Sequence, residues 1–245
     1  MKALHIEIKD KTYSARNKAP SHRAIADLSL SLQEGEFVCL VGPSGCGKST
    51  LLHIVAGLDE TFEGEISTGS GRTPDIGYVF QQPRLLPWRT VRENIELALK
   101  APEESGDLID HLLDVMNLGA AADQYPERLS LGMSRRVALV RAFARQPSLL
   151  LMDEPFVSLD APTARTLRAL LIKVWAERPH TVLFVTHDLA EAIYLADRLI
   201  FLKPPPTSVL CDVHVDLARS ERNDKAIARW RENLIEDHPE LRALL

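Results

Sequence analysis

The stretch GPSGCGKST, residues 42–50, decides the fold. It fits the pattern GxxxxGK(S/T), with Gly42, Gly47, Lys48 and Ser49 in the fixed places. The residues before it, EFVCLV (36–41), read as a buried strand, and STLLHIVAGL (49–58) has the apolar spacing of a helix. A strand, a glycine-rich turn and a helix form the context this pattern needs. Glycines let the backbone curl until successive N–H groups point inward at phosphate oxygens. The helix adds its positive N-terminal end. Gly42, Pro43, Ser44, Gly45, Cys46, Gly47, Lys48, Ser49 and Thr50 are therefore the candidate contacts to a nucleotide's phosphates. Lys48 would reach the β- and γ-phosphates, and the Ser49 hydroxyl would ligate Mg²⁺.

A second stretch, LLLMDEP (149–155), places four apolar residues ahead of Asp153 and Glu154. An aspartate at a strand end can hold Mg²⁺ in concert with Ser49. A carboxylate one residue further on, Glu154, can polarise an attacking water.

The chain has 245 residues, room for one large domain or two small ones. Its net charge of −5 argues against nucleic acid as a main partner. Cys39, Cys46 and Cys211 are odd in number and show no metal spacing, which suggests a reducing compartment. Cys46 falls at a variable position of the phosphate-loop pattern and reads as a small residue that fits. The first residues, MKALHIEIKDK, lack the apolar core of a signal peptide. No stretch approaches the roughly 18 apolar residues of a membrane span. The expectation is a soluble chain whose membrane role, if any, comes through a partner.

Along the chain, residues 3–8 and 24–32 alternate as strands, with a turn at 33–36. Together they predict a small antiparallel sheet beside the nucleotide site. Short strands follow at 64–66 and 75–81, separated by the loop TGSGRTP (68–74). Residues 91–100 and 107–118 are helical by period, with Gly119 as a stop, and a further helical block covers 131–146. The runs at 148–155 and 180–188 are nearly all apolar, as suits central strands of a parallel sheet covered on both faces. Residues 163–179 form the crossover helix between them, and 195–202 supply one more strand. Val209, Cys211, Val213, Val215 and Leu217 alternate as in a half-buried strand. Ile227, Trp230, Leu234 and Ile235 share one face of a last helix.

With these motifs in order, the chain resembles the nucleotide-binding subunit of an ATP-binding-cassette (ABC) transporter over about residues 3–217. The resemblance implies an α/β fold. Its P-loop NTPase core has a mostly parallel central sheet, an N-terminal antiparallel β subdomain and an inserted helical subdomain. The implied boundaries are 1–82 and 146–217 for the core, 83–145 for the helical insert and 218–245 for a C-terminal helix.

Further residues carry over by motif. Gln81, after YVF, matches the glutamine that contacts Mg²⁺ and the attacking water. Ser158, Leu159 and Asp160 match the D-loop. His187 matches the switch histidine that meets the γ-phosphate. Asp188 and Glu191 behind it also resemble a capping box, so His187 can equally belong to a helix cap. Tyr13 is placed like the aromatic that stacks on adenine, or it is a packed edge residue.

LSLGM (129–133) matches the signature LSGGQ imperfectly. Ser130 and Gly132 remain, Leu131 replaces a glycine and Met133 a glutamine, and Arg135-Arg136 replaces Gln-Arg. In the family this segment faces the ATP bound to a second copy. We expect Leu131 to point away from the nucleotide.

FQQPRLLPW (80–88), QYPERLS (124–130) and MDEPFVSLDAPT (152–163) resemble subunits of nitrate/sulfonate/taurine-type importers. The implied function is ATP hydrolysis that powers such an importer. ATP and Mg²⁺ are the implied cofactors. A second copy and membrane permease subunits are the partners, with a solute-binding protein indirectly involved. The implied place is the cytoplasmic side of the inner membrane. Leu85, Leu86, Pro87 and Trp88 read as an apolar patch for the permease, or as core of the helical insert. A non-transport ABC ATPase and a weakly hydrolysing regulatory subunit are the alternatives.

Overall fold

The chain is described, in a computed structural model, over residues 3–15, 20–69, 71, 73–101 and 105–244. Ser70 and Arg72 of the 68–74 loop lie outside the described residues. So do Arg16 to Ala19 in the polar stretch before His22. Two compact units divide the chain: Met1–Pro74 with Thr181–Leu245, and Asp75–His180. Among the described residues no helix is long and apolar enough to cross a membrane.

The first unit holds an antiparallel sheet of β1 (Leu4–Tyr13), β2 (His22–Leu32) and β4 (Glu63–Thr68) in the order β2-β1-β4. Its inward face is Leu4, Ile6, Ile8, Leu28, Leu30 and Leu32, all buried. β1 runs five residues beyond the expected end at Ile8. The pattern hides this because the next inward residues are polar. Lys11 is only 2% exposed and is neutralised by Asp59 at 2.7 Å.

The same unit holds strands in the order β7-β3-β8-β9: β7 (Thr181–Thr186), β3 (Phe37–Val41), β8 (Arg198–Leu202) and β9 (Val209–His214). β3 is parallel to β7 and β8, and β9 is antiparallel to β8. Every residue of β3, β7 and β8 is buried, which explains why they read as unbroken apolar runs. The expected strand at 195–202 begins only at Arg198, because Leu195 still closes α6 (Leu189–Leu195). Arg198 is buried and donates Nη1 to both carboxylate oxygens of Glu36 at 2.8 and 3.0 Å. Its Nη2 donates to Ser31 O at 2.5 Å. The strand expected over 209–217 is β9 and ends at His214; α7 (Asp224–Asp237) then buries Ile227 and Leu234.

α1 (Lys48–Val55) follows β3 and is shorter than the 49–58 expected. Gly57 takes the left-handed conformation (φ 68), and Leu58 N donates back to His53 O at 2.9 Å. That is a glycine C-cap. Leu58 itself is exposed, so its place in the apolar period is accidental.

In the second unit β5 (Ile76–Val79) pairs in parallel with β6 (Leu149–Asp153). The helices α2 (Val91–Glu96), α3 (Gly106–Val115), α4 (Leu131–Ala144) and α5 (Ala161–Glu177) pack around Val137, Leu139, Val140 and Phe143 of α4. Thr90 and Glu93 form a capping box at the start of α2. α2 ends at Glu96, short of the expected 100, as the chain tightens through Ala98 N to Ile95 O at 3.1 Å. α3 ends before Asn117, which has φ 54, and Gly119 opens a 3-10 turn instead of stopping the helix itself.

Candidate functional site

In the first unit the phosphate loop runs from the end of β3 into α1. Gly47 is the N-cap of α1 with φ 95 and ψ 8, a left-handed conformation that glycine adopts without strain. It has a second reason to be glycine. A Cβ there would lie 2.8 Å from Thr207 Oγ1. Thr207 is fully buried, and its hydroxyl donates to Cys46 O. Its backbone brackets β2: Ala26 N donates to Thr207 O at 3.0 Å, and Thr207 N to Ala24 O at 2.8 Å. Thr207 thus braces the loop from behind, a role no motif announces.

Lys48 is 5% exposed, with Nζ donating to Gly42 O at 2.7 Å and Pro43 O at 2.9 Å. Its cation is held at the loop by backbone carbonyls, where phosphate oxygens would gather. Cys46 is buried, as its small size allows, with Sγ 3.9 Å from Lys48 Nζ. Burial pushes its thiol up, against the pull of Lys48. Ser49 and Thr50 occupy the first turn of α1.

Tyr13 ends β1, with its hydroxyl 3.3 Å from Thr50 Oγ1 and 3.5 Å from Asp59 Oδ2. Lys11 Nζ covers one ring face at 4.5 Å, and the residue stays 42% exposed. The tyrosine therefore stands over the phosphate-loop helix with ring surface open to solvent. His187 follows β7 and is exposed. The cap of α6 is Asp188, which accepts from Ala190 N and Glu191 N at 2.9 and 3.2 Å. His187 is not that cap.

In the second unit Asp153 is the last residue of β6 and is 8% exposed. Glu154 follows with φ 42 and Ser158 with φ 64, so the segment after β6 turns sharply through unusual backbone. Gln81, exposed beyond β5, has its carbonyl held by Arg135 Nη1. Arg135 Nη2 donates to Val157 O at 3.2 Å. One buried guanidinium thus ties the Gln81 segment to the turn behind Glu154. Burial lowers its pKa.

Ser130 caps α4 by accepting from Met133 N at 3.2 Å. Asp160 caps α5 by accepting from Thr163 N at 3.2 Å, and the Thr163 hydrogen bonds hold its carboxyl below the usual range. α4 and α5 approach closely where Gly132 meets Thr163, since a Cβ on Gly132 would lie 2.8 Å from Thr163 Cγ2. Leu131, the first residue of α4, is 47% exposed.

The loop 84–89 is shaped by Asn94, 1% exposed, a residue that no sequence motif marks. Its Oδ1 accepts from Leu86 N at 2.7 Å, and its Nδ2 donates to Leu86 O, Arg89 O and Thr90 O at 3.1, 3.0 and 2.9 Å. The loop carries Trp88 68% exposed, while Leu85 and Leu86 are half-buried.

The class these features define is the P-loop nucleotide hydrolases. A family model described as "ABC transporter" matches residues 25–157. The chain is 42% identical over 238 residues to "Aliphatic sulfonates import ATP-binding protein SsuB 2" of Burkholderia cenocepacia, covering 95% of this chain and 86% of that protein. It is 41% identical over 226 residues to "Aliphatic sulfonates import ATP-binding protein SsuB" of Bacillus subtilis, covering 89% of this chain and 88% of the relative. A solved structure of the ATP-binding cassette MJ0796, a post-hydrolysis dimer bound to ADP and Pi, matches with a TM-score of 0.74 and 32% identity. That match covers 88% of this chain and 100% of the cassette. The chain belongs to the ABC transporter family.

Proposed function

We propose that this chain is the ATP-hydrolysing subunit of an importer for a small anionic solute of the sulfonate class. One observation carries the reading: a glycine-rich loop with Gly47 left-handed and Lys48 at the loop carbonyls, in a chain 42% identical over 95% of its length to a sulfonate-import ATP-binding protein.

Two copies face each other head to tail, each ATP held by the phosphate loop of one copy and the signature segment of the other. The phosphate-loop N–H groups and Lys48 take the β- and γ-phosphates, and Tyr13 offers its open ring face to the adenine. Ser130, Gly132 and Met133 at the start of α4 supply a hydroxyl and backbone N–H groups to the opposing γ-phosphate, and Asp160 lines the same closure. Glu154 takes the proton of the attacking water, and His187 and Gln81 respond to the γ-phosphate. The Ser49 hydroxyl and the Asp153 carboxylate are hard oxygen donors that fit Mg²⁺, with Gln81 as a further contact. Bound there, Mg²⁺ offsets charge on the β- and γ-phosphates.

Loop 84–89, with Trp88 outward on the Asn94 scaffold, suits a protein partner, and the permease is the partner assigned to it. Closure on ATP and opening after hydrolysis rock the permease between its access states. The subunit works from the cytoplasmic face of the membrane, and a solute-binding protein delivers cargo to the same permease.

The test is uptake of a labelled alkanesulfonate by cells whose only copy of this chain is wild type or Lys48→Ala. The reading predicts uptake in the first and background in the second. Equal uptake in both would overturn it.

A further inference from the structure

We propose a metal site outside the nucleotide machinery, formed by Cys211 Sγ, His238 Nδ1 and the Glu240 carboxylate, that takes a zinc-class divalent cation. All three residues belong to the first unit. Cys211 lies in β9, His238 ends α7, and Glu240 is in the 3-10 turn Pro239–Ala243. Sγ and Nδ1 are 3.4 Å apart, Nδ1 and Oε1 are 3.3 Å apart, and the ligand atoms all lie within 4.8 Å of one another.

The sulfur–nitrogen and nitrogen–oxygen spacings are those of a coordination shell. Zinc binds thiolate at about 2.3 Å and nitrogen or carboxylate oxygen at about 2.0–2.2 Å, in tetrahedral array. The ligand-to-ligand edges are then about 3.5 Å for sulfur–nitrogen and about 3.3 Å for nitrogen–oxygen. A hydrogen-bonded cluster has different demands. An N–H···O bond prefers about 2.9 Å, and the single Nδ1 carries at most one proton for two neighbours. Nδ1 stands instead at similar distances from both.

The donor set selects the cation. Sulfur and imidazole nitrogen favour zinc over magnesium or calcium, which take oxygen ligands. A thiolate and a carboxylate together offset the double positive charge. Metal uptake releases the Cys211 proton to water and leaves Nε2–H as the imidazole's donor. Cys211 and His238 are half-buried and Glu240 is exposed, so the cluster opens to solvent on one side. That side gives the cation its way in and leaves the fourth position to water. The metal would pin the end of α7 to β9 across a separation of 27 residues. The cysteines alone show no metal spacing because the other two ligands come from a histidine and a glutamate.

The experiment is a titration of the untagged full chain with Co²⁺, read by thiolate-to-cobalt absorption in the near ultraviolet. The proposal predicts one cobalt per chain, displaced by Zn²⁺. The band should be lost in Cys211→Ser. In His238→Gln the affinity should drop by more than the roughly 10–100-fold typical of outer-shell changes. Retained nucleotide binding shows that each variant is folded. In the wild-type chain, Zn²⁺ should also slow maleimide labelling of Cys211, mapped by mass spectrometry. The proposal is overturned by no thiolate band, by a band that survives Cys211→Ser and so belongs to Cys39 or Cys46, or by labelling of Cys211 that Zn²⁺ leaves unchanged.

Discussion

Residues 42–50 form their site from backbone, whereas residues 129–136 and the segments they touch depend on side chains. In the phosphate loop Lys48 Nζ and the Thr207 hydroxyl bond to backbone carbonyls, and the shape is set by where a Cβ is not tolerated, as at Gly47. In the second unit Arg135 holds the Gln81 and Val157 carbonyls, Ser130 and Asp160 cap their helices, and Asn94 builds a loop. A backbone site leaves a rigid sequence fingerprint. A side-chain site can drift, and here it has, with Leu131, Met133 and Arg135 in place of the residues the family pattern names.

Gly47→Ala should break the first region most severely. The new Cβ meets Thr207 Oγ1 and forces a left-handed alanine, strain of roughly 1–3 kcal/mol. If that strain falls on the nucleotide-bound loop, ATP affinity by calorimetry should fall roughly 5- to 150-fold, since 1.4 kcal/mol is worth a factor of ten. Unchanged affinity would mean that the loop is not held by its backbone.

Arg135→Ala sharpens the contrast from the other side. Hydrogen bonds to a charged group are worth roughly 1.5–3 kcal/mol, so denaturant unfolding should show a loss in that range. ATP affinity should fall less than in Gly47→Ala, because Arg135 holds the Gln81 carbonyl and the turn behind Glu154 rather than the backbone of residues 42–50. A loss of affinity matching that of Gly47→Ala would erase the distinction.

The smallest effect is electrostatic. His180 is buried, with Nδ1 2.7 Å from Pro147 O, and burial holds its pKa below the usual value despite that hydrogen bond. The unfolded chain therefore binds the proton more readily than the folded one, and stability falls as pH drops through about 6.5. His180→Gln should flatten that part of the curve of melting temperature against pH. An unchanged slope would show that His180 takes no part in it.

The uneven legibility of the chain follows from the same physics. β3, β6 and β7 were readable because full burial on both faces leaves unbroken apolar runs. The true length of β1 was not, because Lys11 and its partner Asp59 replace an apolar inward position with a neutralised charge. α1 looked too long because exposed Leu58 happened to fall in period. The glycine turn between β3 and α1 was legible from Gly42, Gly47 and Lys48. Its brace, Thr207, lies more than 150 positions away and shows no pattern. Asn94 reads as one polar residue in a helix, although its side chain organises the loop that carries Trp88. Arg135 is visible as a departure from the family wording, but its two carbonyl partners come only from the fold.

Leu131 brings the two regions to one test. It stands 47% exposed at the start of α4, while Gly132 behind it is closed against Thr163. In the proposed function the phosphate loop of one copy and this altered signature of another still close on ATP. Light scattering of Glu154→Gln protein, with and without ATP, measures it directly. The variant removes the proposed base and should slow turnover roughly 10²–10⁴-fold, so bound ATP persists. The mass should double on adding ATP. A variant that binds ATP yet stays monomeric, and that dimerises only after Leu131→Gly is added, would contradict it.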